Sequence, residues 1–382
     1  MSEVLKTFVS AASAKLRFAL VPAAIAAIYF AVRRPGPPAD SAESGARRPD
    51  RERIGEAARD SEARRTASEK IAAAQKASAE IYAASVTTLK EGRLPEAEDG
   101  FRRALAAWES SHGAEHPFLA TIRGDLVGVL RQRGHLSEAA PLLQQALALQ
   151  EKAVGPDDPQ LAPPLRTLAE VMRDLGRIDE AESAARRALA LGESAEALNT
   201  LALILRAKGE RAESERLLRR AIAAAQERSG AEDPQLGSYL HSLALVEQDA
   251  GRWDEAELSL RRAVAIGETA LDATHPDTCN WRATLARVLQ VRGQLADAER
   301  LYRRNVELAE NRGGAEDPGL VMPLNNLAIL LYDTRRLPEA QQVARRAVDI
   351  ATKALGPTHP QARVSAETLR SITDALPEAA RH

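Results

Sequence analysis

Seven histidines, one cysteine and many carboxylates give this 382-residue chain its capacity for catalysis or metal binding, and their spacing shows how they are used. His116, His275 and His359 each stand directly before a proline, where equivalent places carry Asp158, Asp233 and Asp317. Interchange of His with Asp ahead of Pro marks an acceptor that caps a helix start, with Pro at the first helical position. These places lie one or more helical units apart, too far to share a metal. His241 differs, sitting inside a helical pattern ten residues before Gly251. A nucleophile, an acid–base pair or a metal needs a distinctive local context. The chain has no GxxxxGK(S/T) or GxGxxG loop, no CxxC pair, no HExxH and no GxSxG elbow. The expectation is no enzyme, no cofactor and no metal. Cys279 is the single cysteine and reads as a small residue near a helix start.

Cationic chemistry is more conspicuous. Paired arginines recur at Arg102-Arg103, Arg186-Arg187, Arg219-Arg220, Arg261-Arg262, Arg303-Arg304 and Arg345-Arg346. Glu98, Glu182, Glu215, Glu257 and Glu299 stand four residues before the first Arg of five pairs. Glu ahead of a cation at i, i+4 stabilises a helix by about 0.2–0.5 kcal/mol, so this stripe predicts a solvated, salt-bridged outer face. A formal net charge of −2 also argues against nucleic acid as a partner.

The elements carrying these side chains repeat. Pro117, Pro159, Pro234, Pro276, Pro318 and Pro360 are separated by 42, 75, 42, 42 and 42 residues. Gly92, Gly134, Gly176, Gly209, Gly251, Gly293 and Arg335 follow at 42, 42, 33, 42, 42 and 42. Two landmark series in lockstep mean one unit copied about seven times, the signature of a solenoid. Within a unit, Leu236, Leu240, Leu243, Ala244 and Val246 mark one helix face, Gly251 ends that helix, and Ala256, Leu260, Ala263, Val264 and Ile266 mark a second. Small residues sit seven before, five after and twelve after each landmark, as Ala244, Ala256 and Ala263 do, which lets helix axes approach closely. Asn305 replaces the small residue in one unit, Arg335 replaces a turn glycine, and Gly176 to Gly209 is a short copy. No window alternates as a strand does, so the chain is all-α.

Leu243-Ala244, Gly251, Ala256 and Ala263 resemble the tetratricopeptide repeat, and the 42-residue period with its Asp-Pro or His-Pro opening resembles the longer kinesin-light-chain-like variant. The resemblance covers roughly residues 76–376. It implies an α-solenoid, a right-handed superhelix of helix-turn-helix units closed by a last helix over 360–376. It also implies an inner wall of first helices on which an extended peptide or partner helix lies. Wall positions fall three, six, nine, ten and thirteen residues before each landmark. They include Arg166, Arg173, Asn199, Arg206, His241, Asn280, Arg287, Asn325, Asn326 and Tyr332. Asn pairs with a peptide backbone through its donor and acceptor, and Arg forks onto carboxylates. The Asn pair at 325–326 is not repeated in the other units, so an Asn ladder is incomplete.

Residues 1–34 are a different object. Phe18–Val32 is an uninterrupted apolar run between Lys15/Arg17 and Arg33-Arg34, about 22 Å as a helix, against a hydrocarbon core of about 30 Å. Extended backward with snorkelling basic residues, it predicts an N-terminal hydrophobic helix crossing a membrane over about 16–32. A cleaved secretory signal and an organellar transit peptide are the competing readings. Basic residues are more numerous after the run than before it, which leans toward a cytoplasmic repeat domain. Abundant Ala and Arg suggest a GC-rich bacterial genome and hence an inner membrane. Residues 35–75 read as a charged, flexible tether, partly helical, with Ile54 and Ile71 its only apolar anchors in the helical part; residues 377–382 are a tail. The functional expectation is a single-pass, membrane-anchored adaptor that holds a protein or peptide in its groove. The alternative is an exported assembly or quality-control factor with a cleaved signal.

Overall fold

The computed structural model describes the backbone of residues 51–230 and 233–376, as fifteen α-helices with two short 3₁₀ turns and no strand among them. The expected membrane helix at 16–32, residues 35–50 of the tether and the tail at 377–382 lie outside the described residues. Among the described residues, no helix is long and apolar enough to cross a membrane.

The chain divides into two compact units between Leu191 and Gly192. The first begins with α1 (Arg51–Lys90), one continuous helix of 40 residues. The boundary expected near residue 75 therefore falls inside a helix. Hairpins then follow as α2 (Leu94–His112), α3 (Phe118–Gln132), α4 (Leu136–Val154), α5 (Ala162–Asp174) and α6 (Ile178–Leu191). The second unit contains α7 (Ala195–Lys208), α8 (Arg211–Ser229), α9 (Pro234–Asp249), α10 (Trp253–Ala270), α11 (Pro276–Val291), α12 (Leu295–Gly313), α13 (Val321–Asp333), α14 (Leu337–Leu355) and α15 (Pro360–Asp374). In each unit every helix packs on the next one along the chain. Odd-numbered helices are the first of each hairpin and even-numbered ones the second, with α15 closing the series.

The expected caps all form. Asp158, Asp233 and Asp317 accept from the backbone N–H two residues on, at 2.8–2.9 Å. His116, His275 and His359 do the same through Nδ1, each at 3.2 Å. At the turns the six landmark glycines hold φ between 73° and 90°, and Arg335 adopts φ 62° in their place. A non-glycine residue pays roughly 1–2 kcal/mol for that backbone, so the seventh turn is formed against local preference by the packing around it.

Leu and Ala build the core. Ala97, Ala104, Ala139, Ala169, Ala202, Ala244, Ala256, Ala286, Ala328 and Ala340, all at the small-residue offsets, are buried. Trp281 shows what small residues allow. Its ring lies in a slot where a Cβ on Gly237 would approach to 2.4 Å and one on Gly267 to 3.0 Å. The departure at Asn305 is structural too. Asn305 is buried, accepts from Arg282 Nη1 at 2.7 Å and donates to the Cys279 carbonyl at 2.8 Å. It is a tightly held position.

Outside, all five expected Glu–Arg pairs at i, i+4 form, at 2.7–2.8 Å. The glutamates also tie consecutive repeats together. Glu98 accepts from Arg133 at 2.5 Å, Glu215 from Arg252 at 2.6 Å and Glu299 from Arg336 at 2.8 Å. Burial pushes the Glu98 carboxyl up, but hydrogen bonds from Arg102 and Arg133 outweigh it and hold it below its ordinary range.

Candidate functional site

The wall expected to hold a partner is the row of first helices. In the second unit α7, α9, α11, α13 and α15 touch one another in that order, because the small residues bring successive hairpins close. Offsets from the landmark then set which side chains line the row.

Four of the ten expected wall residues, Arg206, His241, Arg287 and Asn325, are bonded to the neighbouring repeat, and such bonds recur at fixed offsets. A residue ten before one landmark meets the residue nine before the next: Tyr82 donates to Asp125 at 2.7 Å, and His241 Nε2 meets Thr284 Oγ1 at 3.1 Å. A residue three before one landmark meets the residue two before the next: Arg206 binds Asp249 at 2.5 Å and Gln290 donates to Asp333 at 2.6 Å. In a variant of the same link, Arg131 donates to Glu170 at 2.8 Å and Arg287 to Gln248 Oε1 at 2.9 Å. These bonds form two ladders along the row.

Of the two candidates in the first unit, Arg166 pairs with Glu170 at 2.8 Å and Arg173 with Asp174 at 2.7 Å. Both guanidiniums are partly exposed and already hold a carboxylate. In the second unit, Asn199 is half-buried with an unpartnered Oδ1, and Arg206 is held by Asp249. The Thr284 hydroxyl donates to the Asn280 carbonyl, so His241 Nε2–H donates to Thr284. Burial, then Arg206 and Arg287, push this imidazole down to about 4. A neutral ring with its proton engaged is a weak base and carries no acid–base chemistry near pH 7.

Asn280 and Arg287 are exposed, and Asn326 and Tyr332 are half-buried. Asn325 is the exception to the expected placement. It is buried and donates to Ser365 Oγ at 2.7 Å, because the closing helix α15 covers it. Three wall residues missed from the sequence are apolar: Met322, Ile329 and Val364, exposed by 44%, 43% and 50%. Their signal was available, since they occupy the wall offsets thirteen and six and, for Val364, one period after Met322. They carry no hydrogen-bonding side chain, the property that marks the other wall residues in the sequence. Among the described residues, no group of three or more His, Cys, Asp or Glu is placed to hold a metal ion.

The tetratricopeptide repeat family matches residues 75–152, 129–194, 193–269 and 277–353, more than half of the chain. The chain belongs to this family. Proteins of this kind generally act as scaffolds in protein–protein interaction. A tetratricopeptide repeat protein of known structure from Parabacteroides merdae is 19% identical over 78% of this chain and 99% of its own, with a TM-score of 0.51, a likeness of fold. A putative kinesin light chain with nearly identical repeats, from Podosopora anserina, is 26% identical over 52% of this chain and 98% of its own, with a TM-score of 0.43. No curated protein matches the chain.

Proposed function

We propose that the chain is a non-enzymatic adaptor that holds a partner polypeptide along its first helices. The observation carrying this reading is an exposed stretch of the wall in the second unit. There the exposed Arg287, bonded among the described residues only to a neutral amide, is followed by the exposed Met322 and Ile329 on the next first helix. An exposed apolar group at a wall offset is what a partner side chain would cover, and a cation without a carboxylate is what would orient it. Polar residues tied into the ladders fix the wall, while the exposed Asn280, the half-buried Asn326 and the exposed guanidinium of Arg287, held only by an amide, would meet the partner.

The test is quantitative capture of a natively co-purified partner. Arg287→Ala combined with Met322→Ala and Ile329→Ala is expected to lower captured partner about tenfold or more, with the circular dichroism melt unchanged. Equal capture would count against the wall. Asn325 belongs in no such test, since its removal would disturb packing against α15.

The adaptor is further proposed to be tethered to a bacterial inner membrane by the run Phe18–Val32, with the repeats on the cytoplasmic side, on the strength of that run and the basic residues after it. Mass spectrometry of the mature N-terminus decides between tether and export: a chain beginning near residue 40 replaces the tether with the exported-factor reading.

A further inference from the structure

Helix α10 carries a surface its six counterpart second helices lack, and the internal repeats themselves provide the comparison. Seven residues after the landmark stand Asp99, Pro141, Ser183, Arg216, Arg300 and Gln342, but in α10 the residue is Leu258, exposed by 73%. Two before the landmark stand Lys90, Gln132, Asp174, Ala207, Asp249 and Asp333, but in α11 the residue is Val291, exposed by 55%. Leu295, across the same turn, is exposed by 40%. Arg292, between them, pairs with Asp254 and Glu257 of α10, so this turn lies against the helix that bears Leu258.

A second anomaly coincides with the first. Eleven residues after the landmark, Arg187, Arg220 and Arg346 each pair with the glutamate seventeen after the previous landmark, Glu151, Glu193 and Glu310. Arg262 has Gln226 at that place and forms no ion pair among the described residues, although it is exposed and one turn from Leu258. The exposed stripe of α10 thus reads acid, apolar, base: Asp254, paired with Arg292, and the exposed Glu255, paired with Arg252 at 2.7 Å, then Leu258, then Arg262. Such a stripe is complementary to itself when reversed.

We propose that this surface joins two copies of the chain, α10 running antiparallel to α10 of the second copy about a two-fold axis near Leu258. An isologous contact requires a surface that matches its own rotated image. Antiparallel helices place Arg262 of each copy opposite Glu255 of the other, while Leu258, Val291 and Leu295 close over the axis. An acidic or basic partner would match only half of this stripe.

Sedimentation equilibrium of the full chain in mild detergent, from about 1 to about 100 μM, reads the association directly. The wild type is expected to reach dimer mass, and Leu258→Asp to raise the dissociation constant about tenfold or more. Arg262→Glu and Glu255→Arg should each weaken the dimer, and the two together should restore it. Leu258→Cys should cross-link to its own copy on oxidation, whereas the wild type, with Cys279 alone, and Arg300→Cys should not. A monomer at every concentration would overturn the proposal, as would a dimer indifferent to Leu258→Asp or a charge swap that fails to rescue. Because α10 is a second helix, these outcomes are separate from partner capture on the first-helix wall.

Discussion

Burial and the flanking Arg206 and Arg287 push the His241 imidazole from 6.5 down to about 4. Between those values the unfolded chain holds a proton that the folded one refuses. The contribution of neutral His241 to stability is therefore complete above about pH 6.5 and declines as pH falls, by about 3 kcal/mol across the window. Burial also lowers His112 and His116 in the first unit, and those act in the same direction. The outer-face carboxyls Glu215, Glu299 and Glu339 are held below 4.5, so what they contribute is lost only at lower pH. Asn occupies the His241 offset one repeat earlier, at Asn199, and so fits the site. His241→Asn is expected to flatten the fall in thermal midpoint between pH 7 and pH 4.5 compared with wild type. Parallel slopes for the two proteins would mean that this ring is protonated in the folded state.

Helices α11 and α12 show how two departures from a repeat can be one structural decision. Leu165, Leu198, Leu240 and Leu324 stand eleven before their landmarks, where α11 has Arg282, exposed by only 1%. Ala stands twelve after the other landmarks, where α12 has Asn305. The buried guanidinium reaches Asn305 Oδ1 at 2.7 Å and Glu268 at 2.8 Å, so restoring the common Ala removes a partner from a buried charge. Asn305→Ala should cost about 1–3 kcal/mol despite matching the repeat pattern. Adding Arg282→Leu should recover much of that loss. A double-mutant cycle on unfolding checks it, and simple additivity would mean that the two residues do not act together. The same pair marks what could be read in advance. Turns, caps and hairpins were legible because Gly, Pro and capping side chains act on their immediate neighbours. Asn305 shows in the sequence only as a departure from the repeat, because its partner lies 23 residues away. Offsets gave Asn325 a place on the wall, yet an offset fixes only an angle around the helix and not what the next helix covers.

At the scale of the whole molecule, the division into two compact units, between Leu191 and Gly192, falls inside the short copy from Gly176 to Gly209. In a repeat array, stability is the sum of each copy and its interfaces with neighbours, so segments without such an interface should open first. Helix α1 contains both kinds. From Ser78 onward it packs, with Ser78 and Ser85 buried and Tyr82 bonded to Asp125. Before that, Glu62, Arg65, Thr66 and residues 68–74 are exposed, and Ile71, the expected anchor, is exposed by 53%. What holds this stretch is helix propensity from its alanines and exposed pairs such as Arg65–Glu69 at 3.0 Å, worth a few tenths of a kcal/mol. An unpacked helix of that length is marginal in water. Amide exchange over residues 62–74 is expected to run about a hundredfold or more faster than over the buried face of α3. Within residues 62–90, trypsin should cut first at Arg65 or Lys70 and leave the melting of the remaining repeats unchanged. Protection over 62–74 equal to that of α3 would mean that another surface covers this half of the helix in solution, and the beginning of the packed repeats would then have to be moved toward Arg51.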